Sequence, residues 1–168
     1  MHKEMLIGVI SDTHIPERAE AIPEEVFTVF KGVDLIIHAG DFTSLDVIKK
    51  LEKIAKVRAV CGNMDPAEVC QKFPQKQIIK VGNFSIGVVH GRGHPDYLLD
   101  FVQKQFENTP DVIIFGHSHN PFNAKVGKTL FFNPGSPTDK FFPSFNSCGI
   151  LKINGGIEGK IIKLSEKK

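Results

Sequence analysis

The sequence has no long apolar stretch, almost no excess of charge and few cysteines. None of its hydrophobic runs approaches the ~20 residues of a membrane span. The opening MHKEMLIGVIS lacks the apolar segment and the small-residue cleavage site of a secretory leader. The 21 basic and 19 acidic residues leave a formal charge of +2, too small to indicate a nucleic-acid or membrane surface by charge alone. We therefore expect a cytoplasmic protein without a membrane contact or a specific nucleic-acid partner.

The cysteines also argue against two kinds of scaffold. Cys61, Cys70 and Cys148 do not have the spacing of a zinc site, and their odd number argues against a disulfide framework. We expect them to be reduced and mostly buried. With 168 residues and no repeat, linker or low-complexity tract, the chain is expected to form a single domain over residues 1–168.

The hydrophobic pattern predicts an α/β protein whose second half is richer in strands. The expected strands are 5–11, 34–38, 56–61 and 112–115, and the expected helices are 23–31, 44–55 and 95–106. Ser44 is a candidate N-cap of the second helix. Glycine-containing turns at 82–83, 126–128 and 154–156 predict three β-hairpins. The alternation in the first half is typical of a parallel sheet, and the hairpins indicate that the sheet becomes mixed.

Five short polar clusters each follow an apolar strand candidate. They are Ser11-Asp12-Thr13-His14, Gly40-Asp41, Gly62-Asn63-Met64-Asp65, His90-Gly91 and Gly116-His117-Ser118-His119. Ligands of open α/β sheets bind at the carboxyl ends of the strands, so we expect these clusters to meet at one rim of the sheet.

The residue types in these clusters indicate a metal site. Carboxylate, imidazole and amide oxygen without thiolate suit divalent Mn, Fe, Co, Ni or Zn. Seven candidate ligands exceed the needs of one ion. Two ions about 3.5–4 Å apart, sharing one carboxylate, would use all of them and would suit an in-line phosphoryl displacement.

The motifs D-x-H, G-D, G-N-x-D, H-G and G-H-x-H, in this order, resemble those of the calcineurin-like metallophosphoesterase superfamily. The resemblance runs from residue 12 to residue 136 and is strongest to the small single-domain YfcE-like phosphodiesterases. It implies the four-layer αββα metallophosphoesterase fold, an α/β architecture in which a β-sandwich of mixed sheets is flanked by helices.

The resemblance also implies how the site residues divide their roles. The first metal would be held by Asp12, His14 and His119, the second by Asn63, His90 and His117, and Asp41 would bridge them. The residues that it assigns to catalysis are Asn63, Asp65 and His90. With these assignments we expect two divalent ions to activate a bridging hydroxide, which attacks a small phosphodiester or phosphomonoester. The alternative is a protein-binding scaffold like the retromer subunit related to this family, with the metal site retained. The sequence is compatible with a homo-oligomer.

Two positions depart from the family pattern. Many members have a histidine as general acid at the third position of G-N-x-D, where this chain has Met64. The leaving oxygen would then take its proton from solvent or another group, so diesters with good leaving groups are expected to react best. Many relatives also have a second histidine after His90-Gly91, where this chain has Arg92. Arg92 or His94 is therefore expected to meet the phosphate.

Two further features have alternative interpretations. His38 precedes Gly40-Asp41 within a strand candidate, which favours a core histidine or one that supports a ligand through a hydrogen bond. The aromatic stretch 141–145 is interpreted as cover for the core, with a subunit interface or a wall beside the substrate as the alternative.

Overall fold

The computed structural model describes residues 3–166 of the chain. The strands are β1 (Met5–Ile10), β2 (Leu35–His38), β3 (Val57–Ala59), β4 (Lys76–Val81), β5 (Phe84–Val89), β6 (Val112–Ile114), β7 (Phe122–Val126), β8 (Thr129–Asn133), β9 (Ser147–Ile153) and β10 (Ile157–Lys163). The helices are α1 (Glu24–Val29), α2 (Leu45–Glu52), α3 (Ala67–Lys72) and α4 (Leu98–Lys104), and a 3₁₀ turn (Pro95–Tyr97) precedes α4.

The strands form two mixed sheets. The first has the order β10-β9-β1-β2-β3, in which β1, β2 and β3 are parallel and the β9–β10 hairpin is antiparallel to β1. The second has the order β4-β5-β6-β8-β7, in which β5, β6 and β8 are parallel and both edge strands are antiparallel to their neighbours. All three predicted hairpins are present. They supply the antiparallel strands of both sheets.

The two sheets pack face to face because each central strand is apolar on both sides. Ile7 and Val9 of β1 belong to the same buried cluster as Ile86 and Val88 of β5. The opposite face of the first sheet, including Ile10, packs on α1, α2 and α3. The outer face of the second sheet packs on α4 in a third cluster. This helix–sheet–sheet–helix order confirms the expected αββα fold, and its hydrophobic burial is the main stabilising term.

The helix boundaries differ in detail from the prediction. Helix α2 begins where expected, since the Ser44 hydroxyl accepts a hydrogen bond of 3.2 Å from the Asp46 amide. Helix α3 was not predicted. It has only six residues, and Val69 is the one buried among them, so it shows little amphipathic period. Within residues 3–166, no helix is long and apolar enough to cross a membrane.

Two expectations about side chains are wrong. Cys61 and Cys70 form a disulfide rather than being reduced, whereas Cys148 is free and buried, as expected. Helix α3 places Cys70 beside Cys61. Because this helix was not predicted from the sequence, the two cysteines were not expected to pair. Phe141 and Phe142 do not cover the core, because 86% and 70% of their surface is exposed. They lie on the loop between β8 and β9, beyond a core that other side chains fill.

Candidate metal centre

The five polar clusters meet at one edge of the sandwich. Three of them follow β1, β2 and β3 of the first sheet, and two follow β5 and β6 of the second. The contact between His14 and His119, whose Nε2 atoms are 3.3 Å apart, joins the two sheets across this edge. The prediction of one rim is correct for the side chains, but the rim belongs to two sheets rather than one.

The backbone of these loops adopts an unusual conformation. Six residues other than glycine have φ between 43° and 72°, a region that side chains rarely tolerate. They are Asp12, His14, Asp41, Thr43, His117 and His119. Such residues cost about 1–3 kcal/mol each and cluster at functional sites. Their concentration here is independent support for a site at this edge.

Asp12 lies at the centre of the cluster. Its Oδ2 atom accepts hydrogen bonds from the Ser11 hydroxyl at 2.7 Å and the His117 amide at 3.0 Å. Its Oδ1 atom is buried and has no hydrogen-bond partner within residues 3–166. The Nε2 atoms of three histidines surround Oδ1, with His119 at 3.4 Å and both His14 and His90 at 3.7 Å. A buried carboxylate oxygen that lacks a hydrogen bond and is surrounded by imidazole nitrogens is suited to bind a cation.

Two groups of ligand atoms share Asp12. The first contains Asp12, His14 and His119, and the second contains Asp12, Asp41 and His90. The ligand atoms within each group lie within 4.8 Å of one another. The Oδ2 atom of Asp41 is 3.0 Å from His90 Nε2 and 3.7 Å from His14 Nε2, so Asp41 also reaches both groups. The first group matches the set implied by the resemblance, and either carboxylate is placed to bridge.

Two of the histidines are oriented by hydrogen bonds at Nδ1. His90 Nδ1 is 2.7 Å from the Ala39 carbonyl, and His119 Nδ1 contacts the Asp139 carboxylate. These acceptors favour a proton on Nδ1, which leaves the Nε2 lone pair for a metal. Within residues 3–166, His90 Nε2 lies 3.0 Å from Asp41 Oδ2 but makes no hydrogen bond of good geometry. Each histidine therefore has the arrangement of a metal ligand.

Asp139 was not predicted from the sequence. It is buried, pairs with Arg18 at 3.1 Å and contacts His119 from the side opposite to Asp12. Only the fold brings it there, since it lies 20 residues after His119 on the β8–β9 loop. No motif in the sequence marks this position.

Replacing Asp139 by asparagine should weaken Mn²⁺ binding by about 10–100-fold, because the carboxylate fixes the His119 ring and raises its basicity. Isothermal titration calorimetry with Mn²⁺ measures this change. The matched control is Asp46→Asn, an exposed aspartate on α2. Unchanged Mn²⁺ affinity in Asp139→Asn would contradict the role assigned to this contact.

The charges of the cluster shift its pKa values. Burial alone would raise the pKa of Asp12, but His90, His119 and His14 together lower it well below its usual range. Burial alone would lower the pKa of His90, but the charges of Asp12 and Asp41 raise it to about 9. His119 behaves in the same way, because contact with Asp12 raises its pKa despite burial. Without an ion, the carboxylates therefore favour the protonated forms of both imidazoles.

His38 lies inside the fold rather than at the cluster. It is fully buried, its Nε2 atom is 3.1 Å from the Thr13 hydroxyl, and its Nδ1 atom accepts from the Gly40 amide at 3.2 Å. Burial lowers the pKa of His38 to about 3, so the ring is neutral. It ties the loop after β1 to the loop after β2, which agrees with a supporting role.

Four other predicted residues have mixed placements. His117 directs Nε2 to the Gly93 carbonyl at 3.0 Å, so only Nδ1 remains for a metal. Asn63 and Met64 are exposed beside the cluster, and 61% of the Met64 surface is accessible. The Asp65 carboxylate accepts hydrogen bonds from the amides of Gly62, Asp41 and Thr43 at 2.7–2.9 Å. Asp65 thus holds the loop after β2 against the loop after β3. Its carboxylate is occupied by backbone amides and does not face a substrate.

Two glycines permit the close approach of the loops. A Cβ atom on Gly62 would collide with the carboxylate of Asp41, and one on Gly116 would collide with Ser11 and Asp12. The glycines of G-N-x-D and G-H-x-H therefore make room for the carboxylates at the centre.

Comparison with known proteins agrees with this geometry. The family model of the calcineurin-like phosphoesterase superfamily domain matches residues 5–156. A probable metallophosphoesterase of Methanothermobacter thermautotrophicus is 45% identical over 165 residues, which cover 95% of this chain and 92% of that protein. A phosphodiesterase of Methanocaldococcus jannaschii is 33% identical, covering 78% of this chain and 83% of that protein.

A solved structure has the same fold. The crystal structure of Vps29 from Entamoeba histolytica in complex with Zn²⁺ has a TM-score of 0.75 and 28% identity, and the match covers 95% of this chain and 99% of that one. The family match, the sequence relatives, the αββα fold and the paired ligand groups all agree. This chain belongs to the calcineurin-like phosphoesterase superfamily and is a metal-dependent phosphoesterase.

Proposed function

We propose that this chain is a phosphodiesterase that uses two divalent metal ions. The observation that carries the proposal is the buried Oδ1 atom of Asp12, which lacks a hydrogen bond and is surrounded by three imidazole nitrogens. A buried carboxylate oxygen without a hydrogen bond is costly, and a cation at this position would satisfy it. The same carboxylate belongs to both ligand groups, which supports two ions rather than one.

The donor set fits such a centre. Asp12, His14 and His119 would hold one ion, and Asp41 and His90 would hold the other with Asp12. His117 Nδ1 and the Asn63 amide would complete the second site. Oxygen and imidazole donors without thiolate favour Mn, Fe, Co, Ni or Zn. When bound, the ions would supply positive charge at the phosphoryl oxygens and lower the pKa of a coordinated water.

Seven side chains shared by two ions leave coordination positions open. Structural sites usually close with four protein ligands per ion, whereas catalytic sites keep a position for water or substrate. The scaffold alternative has less support, because the sequence relatives are a probable metallophosphoesterase and a phosphodiesterase. The likeness to Vps29 is a likeness of the whole fold and does not separate the two functions.

The proposal is tested by hydrolysis of bis-p-nitrophenyl phosphate and p-nitrophenyl phosphate. After treatment with a chelator, the protein would be assayed with Mn, Ni, Co, Zn and Mg in turn, beside His117→Ala under the same conditions. We expect at least one metal to restore turnover, a preference for the diester, and a large loss in His117→Ala. Absence of turnover with every metal, or equal turnover in His117→Ala, would overturn the proposal.

The side chain of Met64 sets the choice of leaving group. It is exposed beside Asn63 and has no proton to donate. Replacing it by histidine should raise turnover of diphenyl phosphate, whose phenoxide leaves poorly, by about a hundredfold, since a general acid contributes at least that much. Bis-p-nitrophenyl phosphate should respond far less. Steady-state kinetics at saturating metal would measure both.

Met64→Gln is the matched control, because it keeps the size and exposure of the side chain without adding an imidazole. Since position 64 is exposed, neither substitution should change the free energy of unfolding by more than about 0.5 kcal/mol. If diphenyl phosphate turnover in Met64→His equals that of the parent, the leaving group does not depend on an acid at this position.

A further inference from the structure

A pocket of about 540 Å³ opens beside the second ligand group. Asn63 and His90, which belong to the candidate metal centre, line it together with Lys76, Arg92 and Gln105. Its volume suits a small-molecule substituent. A diester bound at the ligand groups would therefore place one of its two substituents in this pocket.

The pocket carries positive charge. Lys76 and Arg92 both line it, and no carboxylate is among its lining residues within the described part of the chain. In the salt bridges of residues 3–166, neither cation has an acidic partner. Two unneutralised cations in one concave surface attract an anion.

Both cations are held in place by neighbouring groups. The guanidinium carbon of Arg92 lies 5.1 Å from the centre of the Phe101 ring, a cation–π contact that leaves the edge of the guanidinium free. Lys76 Nζ donates one hydrogen bond of 2.6 Å to the Gln105 carbonyl and keeps two N–H groups for a ligand. These contacts reduce the entropy lost when an anion binds.

The absence of a proton donor beside the pocket also favours an anionic substituent. An alkoxide needs a proton as it departs, and Met64, exposed at the same loop, cannot give one. A departing phosphate needs none near neutral pH, because its second pKa is about 6. It needs positive charge, which Lys76 and Arg92 provide through charge-assisted hydrogen bonds.

We propose that the natural substrate is a diphosphate, in which the scissile bond joins two phosphates and the departing phosphate binds Lys76 and Arg92. This inference rests on the proposed function and specifies its substrate class. The oxygen of a water molecule forms a bond to one phosphorus, the bridging P–O bond breaks, and its electron pair stays on the departing phosphate. One proton of the water remains on a product phosphate and the other passes to solvent. Lys76 and Arg92 are thus assigned as specificity-determining residues.

The test compares ADP-ribose, a diphosphate, with bis-p-nitrophenyl phosphate, whose departing group carries no second anion. The variants are Lys76→Gln and Arg92→Gln. Lys80→Gln is the matched control, since Lys80 lies on the same strand and is exposed outside the pocket. The ratio of kcat/KM for ADP-ribose to that for bis-p-nitrophenyl phosphate should fall at least about tenfold in each test variant. Lys80→Gln should leave this ratio within about twofold of the parent.

A binding measurement separates recognition from turnover. Titration of the Mn²⁺-loaded protein with α,β-methylene-ADP, a diphosphate analogue that is not hydrolysed at the bridge, should show saturable binding. Lys76→Gln and Arg92→Gln should each weaken this binding at least about fivefold, and Lys80→Gln should not.

The outcomes separate this inference from the proposed function. If the parent hydrolyses bis-p-nitrophenyl phosphate but not ADP-ribose, the assignment of a diphosphate substrate is overturned and the proposed phosphodiesterase function is retained. Equal losses on both substrates, or no binding of α,β-methylene-ADP by the parent, would also overturn the assignment of Lys76 and Arg92. Lack of turnover of both substrates with every metal would overturn the proposed function and this inference together.

Discussion

Asp12→Asn should lower the turnover of bis-p-nitrophenyl phosphate by at least about a thousandfold. The substitution keeps the shape of the side chain but removes the charge of Asp12, which belongs to both ligand groups. The charge stabilisation that metals provide in a transition state is worth several kcal/mol, and each 1.36 kcal/mol is a factor of ten in rate. Steady-state kinetics at saturating Mn²⁺, together with metal content by mass spectrometry, would measure the loss.

The exposed Asp46→Asn variant controls for the amide substitution itself, and circular dichroism of Asp12→Asn checks the fold. Because Asp12 Oδ2 also receives the Ser11 hydroxyl and the His117 amide, the variant could lose activity through a shifted loop. Asp12→Glu gives a second measurement, since it restores the charge at a displaced position and should bind metal better than Asp12→Asn. Retention of more than a tenth of parental turnover by Asp12→Asn would contradict the shared-carboxylate centre.

Adding Mn²⁺ to the chelator-treated protein should raise its Tm by about 8–16 °C. An ion that binds only the native state at a thousand times its Kd stabilises by about 4 kcal/mol. For a chain of this length, 1 kcal/mol corresponds to about 2–4 °C. The stabilisation arises because the ion neutralises Asp12 and Asp41, which are buried together with three imidazoles. Thermal unfolding followed by circular dichroism would show it, and Asp12→Asn should lose most of the shift.

The size of this stabilisation should depend on pH. In the metal-free protein the pKa of His90 is raised to about 9, so the stability that its proton contributes is fully present below 6.5 and is lost as pH rises through 9. The metal competes with this proton, and its affinity should therefore increase about tenfold per pH unit between 6.5 and 9. The Mn²⁺-induced shift in Tm should grow over that range. A shift that is constant with pH would mean that binding releases no proton from His90.

Much of the candidate site could be predicted because the proposed ligands follow apolar strands. Asp12, Asp41 and His90 lie two, three and one residues after the ends of their strands, and parallel strands bring their carboxyl ends to a common edge. The strands themselves were predictable from apolar runs, and Gly127 marked a hairpin through its left-handed turn. Residue type and position after a strand were therefore enough to predict most of the candidate ligands.

What escaped prediction depends on contacts between distant segments. Asp139 reaches His119 only because β8 and β9 belong to different sheets and the loop between them crosses the edge of the sandwich. The Cys61–Cys70 disulfide depends on α3, which is too short to show a helical period. Asp65 sits in a motif of ligands, yet its carboxylate serves backbone amides, a distinction that residue type does not reveal.

The two sheets are joined through Asp12. It follows β1 of the first sheet, receives the His117 amide from the second, and its backbone carbonyl accepts the Ser136 hydroxyl from the loop after β8. An ion held by His14 and His119 would add a further cross-link between the same halves. The metal centre therefore depends on the packing of both sheets, and separation of the sheets would move its ligands apart. In a denaturant titration, enzymatic inactivation should therefore accompany global unfolding rather than precede it.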